Sequence, residues 1–297
     1  MTTTVSRGDE AADTLYTVEP LRDPVEIREI LQSDRPYAAY ALAQLDPKMF
    51  KLNEWFRASG PSGTAMLLHS RSGIGRALFA VGDPRALEAA LKLHPGPRFA
   101  FGSLYPEHRP VVDKYFVVTR PQTMQRMSIT TGSFRPVDGP AIRLRGRDAS
   151  AVNRLYSVEG GPTAYRPGHL EEGVYYGAEV DGRLVSIAGT HVVSNNEGVA
   201  VVGNVFTHPR YRGGGLATAV TSAVTQEVLQ SCSLVVLTVE EDNAPACCVY
   251  DQLGYQPECT LHETPLVRKD PFGLSSLIRR TIAGWRGRDQ RKELLEG

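Results

Sequence analysis

The chain has 297 residues, 41% of them hydrophobic, with 33 Lys and Arg set against 33 Asp and Glu. That length admits one large domain or two ordinary ones, each with its own core. Balanced charge argues against a generic electrostatic hold on nucleic acid, and no apolar run is long enough to cross a bilayer. The opening MTTTVSRGDEAADT lacks the apolar core of a signal peptide, so the chain reads as cytoplasmic. Cys232, Cys247, Cys248 and Cys259 fit no zinc spacing and no metal is expected. The adjacent pair 247–248 is poorly placed for a structural disulfide, so the thiols read as reduced.

Residues 1–14 are polar and read as a mobile N-terminus. PVEIREILQ and YAAYALAQL then carry helical apolar spacing, TAMLLHS and RALFAVGD read as strands, and PRALEAALKL is a helix with Pro84 in its first turn. RFAFGSLY, EHRPVVDKY and QTMQRMSIT continue the alternation. SFRPVDGP, at 133–140, concentrates proline and glycine and reads as a linker, giving an N-terminal α/β domain at 15–135. Beyond it AIRLR is a short strand, DASAVNRLYSV a helix with Asp148 as N-cap, and GHLEEG a short helical piece. GVYYGAEV, RLVSIAGTHVV and GVAVVGNVFT are three strands with turns at Asp181-Gly182 and Asn195-Asn196. A helix follows in which Leu216, Val220, Val224 and Val228 form one apolar face. SLVVLTV is a buried strand, NAPACCVYDQL a helix capped by Asn243 and ended by Gly254, and YQPECTLHETPLV supplies closing strands. The two halves share this alternation, which hints at a duplicated fold.

HPRYRGGGLATAV, residues 208–220, places three glycines between a strand and a helix. The first turn of a helix leaves N–H groups unpaired at the positive end of its dipole. Glycines admit an anion to those groups, and Arg210 and Arg212 add charge, so the stretch reads as a phosphate site. A dinucleotide fingerprint fails, because Thr218 stands at its third small position and no acidic residue ends a strand about twenty residues on. A P-loop fails for want of its lysine. SGIGRAL, at 72–78, is a lone Gly-x-Gly that reads as a hairpin turn.

Arg212-Gly213-Gly214-Gly215-Leu216-Ala217 resembles the Arg/Gln-x-x-Gly-x-Gly/Ala pyrophosphate loop of the GNAT superfamily of N-acetyltransferases. Downstream, Asn243, Ala246, Tyr250, Gly254 and Tyr255 are similar to that family's second pattern. The resemblance spans a catalytic domain at about 140–268 and implies an α/β fold, a mixed twisted sheet flanked by helices. It further implies a tandem arrangement with a degenerate GNAT-like N-terminal half.

The function so implied is N-acetyl transfer from acetyl-CoA, as co-substrate, to a small-molecule or peptide amine by direct attack in a ternary complex. The backbone of Val205, Phe206 and Thr207 would hold the pantetheine arm. Amides from Gly213, Gly214, Gly215, Leu216, Ala217 and Thr218, with Arg212, would hold the pyrophosphate, and Asn243 would add a cofactor contact. Tyr250 would be the general acid for the departing thiolate. The usual glutamate position holds Thr238, so the base stays open among Glu240, Glu241 and His191, with His208 read at the loop mouth. A non-catalytic acyl-CoA-binding protein, or transfer of a longer acyl chain, are the alternatives. No nucleic acid partner and no transmembrane segment are expected, and homo-oligomerisation is left open. The basic tail at 269–297, with Leu277, Ile278, Ile282 and Trp285 loosely on one face, reads as a solvated or docked appendage, with a membrane-surface or partner helix, weakened by Gly284 and Gly287, as the alternative.

Overall fold

The structure is a computed structural model that describes residues 16–71, 75–270, 273 and 276–281. The expectations for residues 1–14, for part of the turn at 72–78 and for most of the tail, Ile282 and Trp285 included, lie outside those residues. In chain order come β1 (Thr17–Pro20), α1 (Pro24–Gln32), α2 (Arg35–Ala43), α3 (Pro47–Phe50), β2 (Glu54–Gly60), β3 (Gly63–Ser70) and β4 (Ala77–Gly82). Next are α4 (Pro84–Leu93), β5 (Phe99–Leu104), α5 (Arg109–Tyr115), β6 (Phe116–Val118), β7 (Gln122–Ile129) and β8 (Ile142–Arg143). Then follow α6 (Ala149–Tyr156), α7 (Pro167–Glu172), β9 (Tyr175–Val180), β10 (Arg183–Ser194), β11 (Val199–Thr207) and α8 (Leu216–Val228). Closing the order are β12 (Leu234–Glu240), α9 (Ala244–Leu253) and β13 (Gln256–Arg268). No helix of the described residues is long and apolar enough to cross a membrane.

The described residues form two compact units: those within 1–30, 48–122 and 261–297 make the first, those within 31–47 and 123–260 the second. Neither is a continuous stretch. Helix α2 packs on β10, β11 and β12, and β7 pairs with β12, so both belong to the second unit. The Pro/Gly-rich segment 133–140, expected as a linker, lies inside that unit as well. Its Val137 N–H donates to Ser222 Oγ at 2.8 Å, and the Arg135 N–H to the Leu253 carbonyl at 2.9 Å.

Each unit repeats one topology. In the first, β1–β2, β2–β3 and β3–β4 are antiparallel, β4–β5 is parallel and β5 pairs antiparallel with β13. In the second, β8–β9, β9–β10 and β10–β11 are antiparallel, β11–β12 is parallel and β12 pairs antiparallel with β7. A parallel pair needs a crossover, which α4 supplies in one unit and α8 in the other. The sixth strand of each comes from the opposite half of the sequence. Residues 17–20 and 54–60, not singled out in the sequence, supply the first two strands. Glu54 and Arg57 interrupt the apolar signal, while Trp55, Phe56 and Ala58 are buried.

Phe56, Leu67, Leu78, Leu87 and Leu91 centre the first core. Met127, Val202, Val220, Val224, Val235 and Leu253 centre the second. Each such side chain contributes about 1.5–3 kcal/mol on burial. The apolar face expected on α8 is the one buried there, with Leu216 at its partly open end. Asp148 starts α6 but does not cap it with its side chain; its carboxylate accepts from the Arg145 N–H at 2.8 Å and closes the preceding turn. All four cysteines are free thiols, Cys232 buried and Cys248 exposed.

Candidate active site

Strands β11 and β12 pair over only three residues, Val199–Val201 with Leu234–Val236. Beyond that, β11 runs on to Thr207 and β12 to Glu240 without pairing to each other. Backbone geometry gives the reason. Asn204 has φ of +54°, and the β10–β11 register shifts between Ile187 and Gly189, so β11 bends there. The bend is fastened from outside: the Tyr156 hydroxyl donates to the Asn204 carbonyl, and Ser186 and Thr207 share a hydroxyl hydrogen bond of 2.8 Å. Val205 and Phe206 are half-buried along the opened edge and Thr207 is buried at its end.

A short turn at Pro209–Tyr211 leads from β11 to the three glycines. Gly213 and Gly215 have φ of +82° and +76°, and a Cβ at either would meet nothing within 4 Å. Glycine is therefore needed for the left-handed backbone and not for lack of room. Residues 212–215 are exposed, Leu216 and Ala217 half-buried. Gly215 is the N-cap of the thirteen-residue α8, and no side chain caps it. The first-turn amides, those of Leu216, Ala217 and Thr218 included, thus have no intrahelical partner and no capping side chain.

Arg212 does not extend over this opening. Its Nε donates to the Thr207 carbonyl at 3.0 Å, its Nη2 pairs with Glu159, and its guanidinium lies 5.8 Å from the Phe206 ring centroid. It braces the end of β11 against the turn. Arg210 is exposed, and its N–H donates to His208 Nδ1 at 3.2 Å.

The corresponding β4-to-α4 connection of the first unit is closed. Asp83 caps α4, accepting from the Arg85 and Ala86 amides at 3.0 and 2.9 Å. Slight burial works against the charge. Bonds from Ser62 and those two amides, with the charge of Arg85, nonetheless hold the carboxyl below its ordinary value. A carboxylate sits where the second unit keeps bare amides. Asp83→Ala should lower stability by about 1 kcal/mol, the usual worth of such a cap, read as a fall in denaturant midpoint at unchanged slope.

Helix α9 begins at Asn243, whose side chain accepts from the Ala246 N–H at 3.2 Å, and ends at Gly254. Both caps are as expected. The cap occupies the Asn243 side-chain oxygen. Tyr250 is 7% exposed among Val220, Val224 and Leu253, edge-on to Tyr255 at 6.0 Å between centroids. Burial, with a smaller push from Cys247, raises its phenol to about 12.

The base candidates are scattered. Thr238 lies on β12 two residues past the last β11–β12 pair, its Oγ1 buried without a partner among the described residues. Glu240 and Glu241 are exposed at the end of β12. His208 packs on Tyr211 at the turn. His191 sits where β10 shifts register between Thr190 and Val192, its ring over Gly203, where any Cβ would meet ring atoms at 2.5–3.0 Å. Its Nδ1 shares a hydrogen bond with the Tyr40 hydroxyl. His191 keeps an exposed surface, yet the protein crowding its ring holds the imidazole below its ordinary value, aided by the charge of Arg126 and opposed by a bond to Asn204.

Arg126 and Tyr40 were not singled out in the sequence. Arg126 stands opposite Thr238 in the β7–β12 ladder, is fully buried, and has the Tyr40 ring 5.3 Å from its Cζ. The available signal was a lone charge inside QTMQRMSIT, between Met124 and Ser128 on one strand face.

With this geometry in place, residues 151–255 match the model of the Acetyltransferase (GNAT) family. Among solved structures, a Drosophila protein aligns with a TM-score of 0.60 at 14% identity, over 86% of this chain and 98% of its own. A GNAT-family acetyltransferase from Colwellia psychrerythraea aligns with a TM-score of 0.50 at 10% identity, over 85% and 99%. A GCN5-related N-acetyltransferase from Sphaerobacter thermophilus gives 0.50 at 13%, over 84% and 95%. At such identities these likenesses concern the fold alone. No curated protein matches the chain. The mixed sheet, its flanking helices and the glycine turn accompany a segment, residues 151–255, that is similar to the Acetyltransferase (GNAT) family.

Proposed function

We propose that the second unit transfers acetyl from acetyl-CoA to an amine by direct attack in a ternary complex. One observation carries the reading: an exposed glycine turn opens onto the uncapped N-terminus of α8, at the end of a strand that has parted from its parallel neighbour. Amides of Gly213 to Thr218 take the pyrophosphate, where helix dipole and unpaired N–H groups act together. The unpaired edge of Val205, Phe206 and Thr207 takes the pantetheine amides in the manner of an added strand. Arg212 contributes by holding the turn to β11. Asn243, committed to its helix cap, serves the site by setting the start of α9.

The amine lone pair attacks the thioester carbonyl, the C–N bond forms, and the C–S bond breaks as the thiolate leaves. Tyr250 donates the proton that turns thiolate into thiol. Backbone N–H groups at the parted strand stabilise the oxyanion. An alkylammonium of pKa near 10.4 must lose a proton first. The Tyr40–His191 pair accepts it: Tyr40 bridges to an imidazole kept neutral by its surroundings.

Calorimetry tests the binding half, with acetyl-CoA expected to bind and NAD not to bind. Thiol release with a panel of amines tests the transfer. Binding without release by any amine would favour a non-catalytic acyl-CoA-binding protein, and faster release from hexanoyl-CoA than from acetyl-CoA would move the donor to longer chains.

A further inference from the structure

Arg126 is 0% exposed, yet its Nε and Nη1 find no hydrogen-bond partner among the described residues, and no described carboxylate pairs with it. A buried, unpaired cation costs several kcal/mol, and the Tyr40 face 5.3 Å away returns only part of that. A second orphan adjoins it. Thr238 is Arg126's direct cross-strand partner, so both side chains project from the same sheet face, and Thr238 Oγ1 is also buried without a partner. These groups lie just past Val236, where β11 leaves β12 and the thioester is placed by the reading above. His191, over Gly203, and Tyr40, on α2, complete the same face.

We infer that Arg126 and Thr238 form a subsite for a carboxylate carried by the acceptor, so that the substrate is an amine bearing a carboxylate, an amino acid in the simplest case. The inference rests on the acetyl-transfer reading and adds the acceptor class. Guanidinium N–H groups and a hydroxyl are the donors a carboxylate needs. The charge count selects a monoanion. Arg126 brings one fully buried positive charge, so a phosphate dianion would leave excess negative charge buried. Holding the carboxylate here leaves the amine of the same molecule toward Tyr40 and the parted strands. The C–N bond then forms on that amine, its proton goes to the Tyr40–His191 pair, and the C–S electron pair leaves with the thiol.

The test compares wild type with Arg126→Met. Acceptors are the proteinogenic amino acids and their decarboxylated amines, read by thiol release from acetyl-CoA. Thermal shift with N-acetylated amino acids is measured in parallel, without CoA. For at least one amino acid, wild type should exceed the matched amine in kcat/KM by on the order of a thousandfold, as expected when a site's buried donors are left unpaired. In Arg126→Met that ratio should collapse toward one. N-acetyl amino acids should raise the wild-type Tm and leave the variant unmoved. Acetyl-CoA affinity should be equal in both, and the variant's own Tm should not fall, because removing an unpaired buried charge offsets the lost contact with the Tyr40 ring.

Acetyl-CoA binding together with an unchanged amino-acid preference in the variant would overturn the subsite while leaving acetyl transfer standing. A fall of several degrees in the variant's Tm would make Arg126 a structural residue and overturn it equally. Absent acetyl-CoA binding would instead defeat the transfer reading, and the CoA-free thermal shift would still decide the carboxylate site.

Discussion

Gly215→Asp should abolish measurable acetyl-CoA binding while leaving the fold intact. The substitution puts a carboxylate at the N-cap of α8, as Asp83 does for α4, though from a left-handed backbone where Asp83 has an extended one. The backbone tolerates it better than most residues, since Asp visits the left-handed region that Gly215 occupies at φ +76°. Two effects then oppose the diphosphate. The amides acquire an internal partner, and like charges about 4 Å apart repel by about 4 kcal/mol at an effective dielectric of 20. Together they should weaken binding by on the order of a thousandfold in calorimetry. Gly215→Ala is the control, carrying the backbone strain of about 1–2 kcal/mol without the charge. It should cost roughly tenfold. Equal losses in the two variants would mean that strain, and not competition for the amides, governs the loop.

The contrast between Asp83 and Gly215 also shows how far the sequence could be read. The glycine turn, the Asn243 and Gly254 caps and the apolar face of α8 are local features. Each depends on residues within a turn or two, and each stands where local chemistry places it. The duplication was visible as an alternation of elements, but the exchange of sixth strands was not. Nothing within QTMQRMSIT says that its partner is Leu234–Glu240, over a hundred residues on. The assignment of residues 31–47 to the second unit has the same origin, since YAAYALAQL shows an apolar surface without naming the sheet that covers it.

For the candidate site, sequence chemistry named residues in continuous motifs, with Thr238 and His191 beside them, but not Arg126 or Tyr40, which strand pairing and helix packing bring alongside. Arg212 was read as a phosphate ligand from its charge. In the structure its hydrogen bonds run to Thr207 and Glu159, a contact 53 residues away that no spacing rule supplies. Arg126, Thr238, His191 and Tyr40 come from β7, β12, β10 and α2, and meet only because the ladder registers place them on one face.

Tyr250→Phe should lower kcat by on the order of a hundredfold, the lower range for removing a general acid, with acetyl-CoA affinity unchanged. The hydroxyl receives no described hydrogen bond that raises or lowers its pKa; burial and Cys247 account for the shift. Removing it leaves no described group unsatisfied, so the Tm should hold within a degree or two and separate a chemical role from a packing one. The pH profile supplies the sign. Burial lifts the phenol to about 12, which favours its protonated form, so a proton donor at Tyr250 stays loaded through pH 10. Wild-type kcat should accordingly show no loss attributable to Tyr250 between pH 7 and pH 10, and Tyr250→Phe should depress the profile by the same factor across that range. The alternative role, a core tyrosine with no part in the chemistry, requires kcat of the variant to match wild type. An alkaline limb near pH 10 that vanishes in Tyr250→Phe would place the phenol in water and remove the physical basis of the assignment. A uniform drop at constant affinity and constant Tm is the pattern expected of a protonated phenol acting on the reacting thioester, and it excludes a role confined to packing.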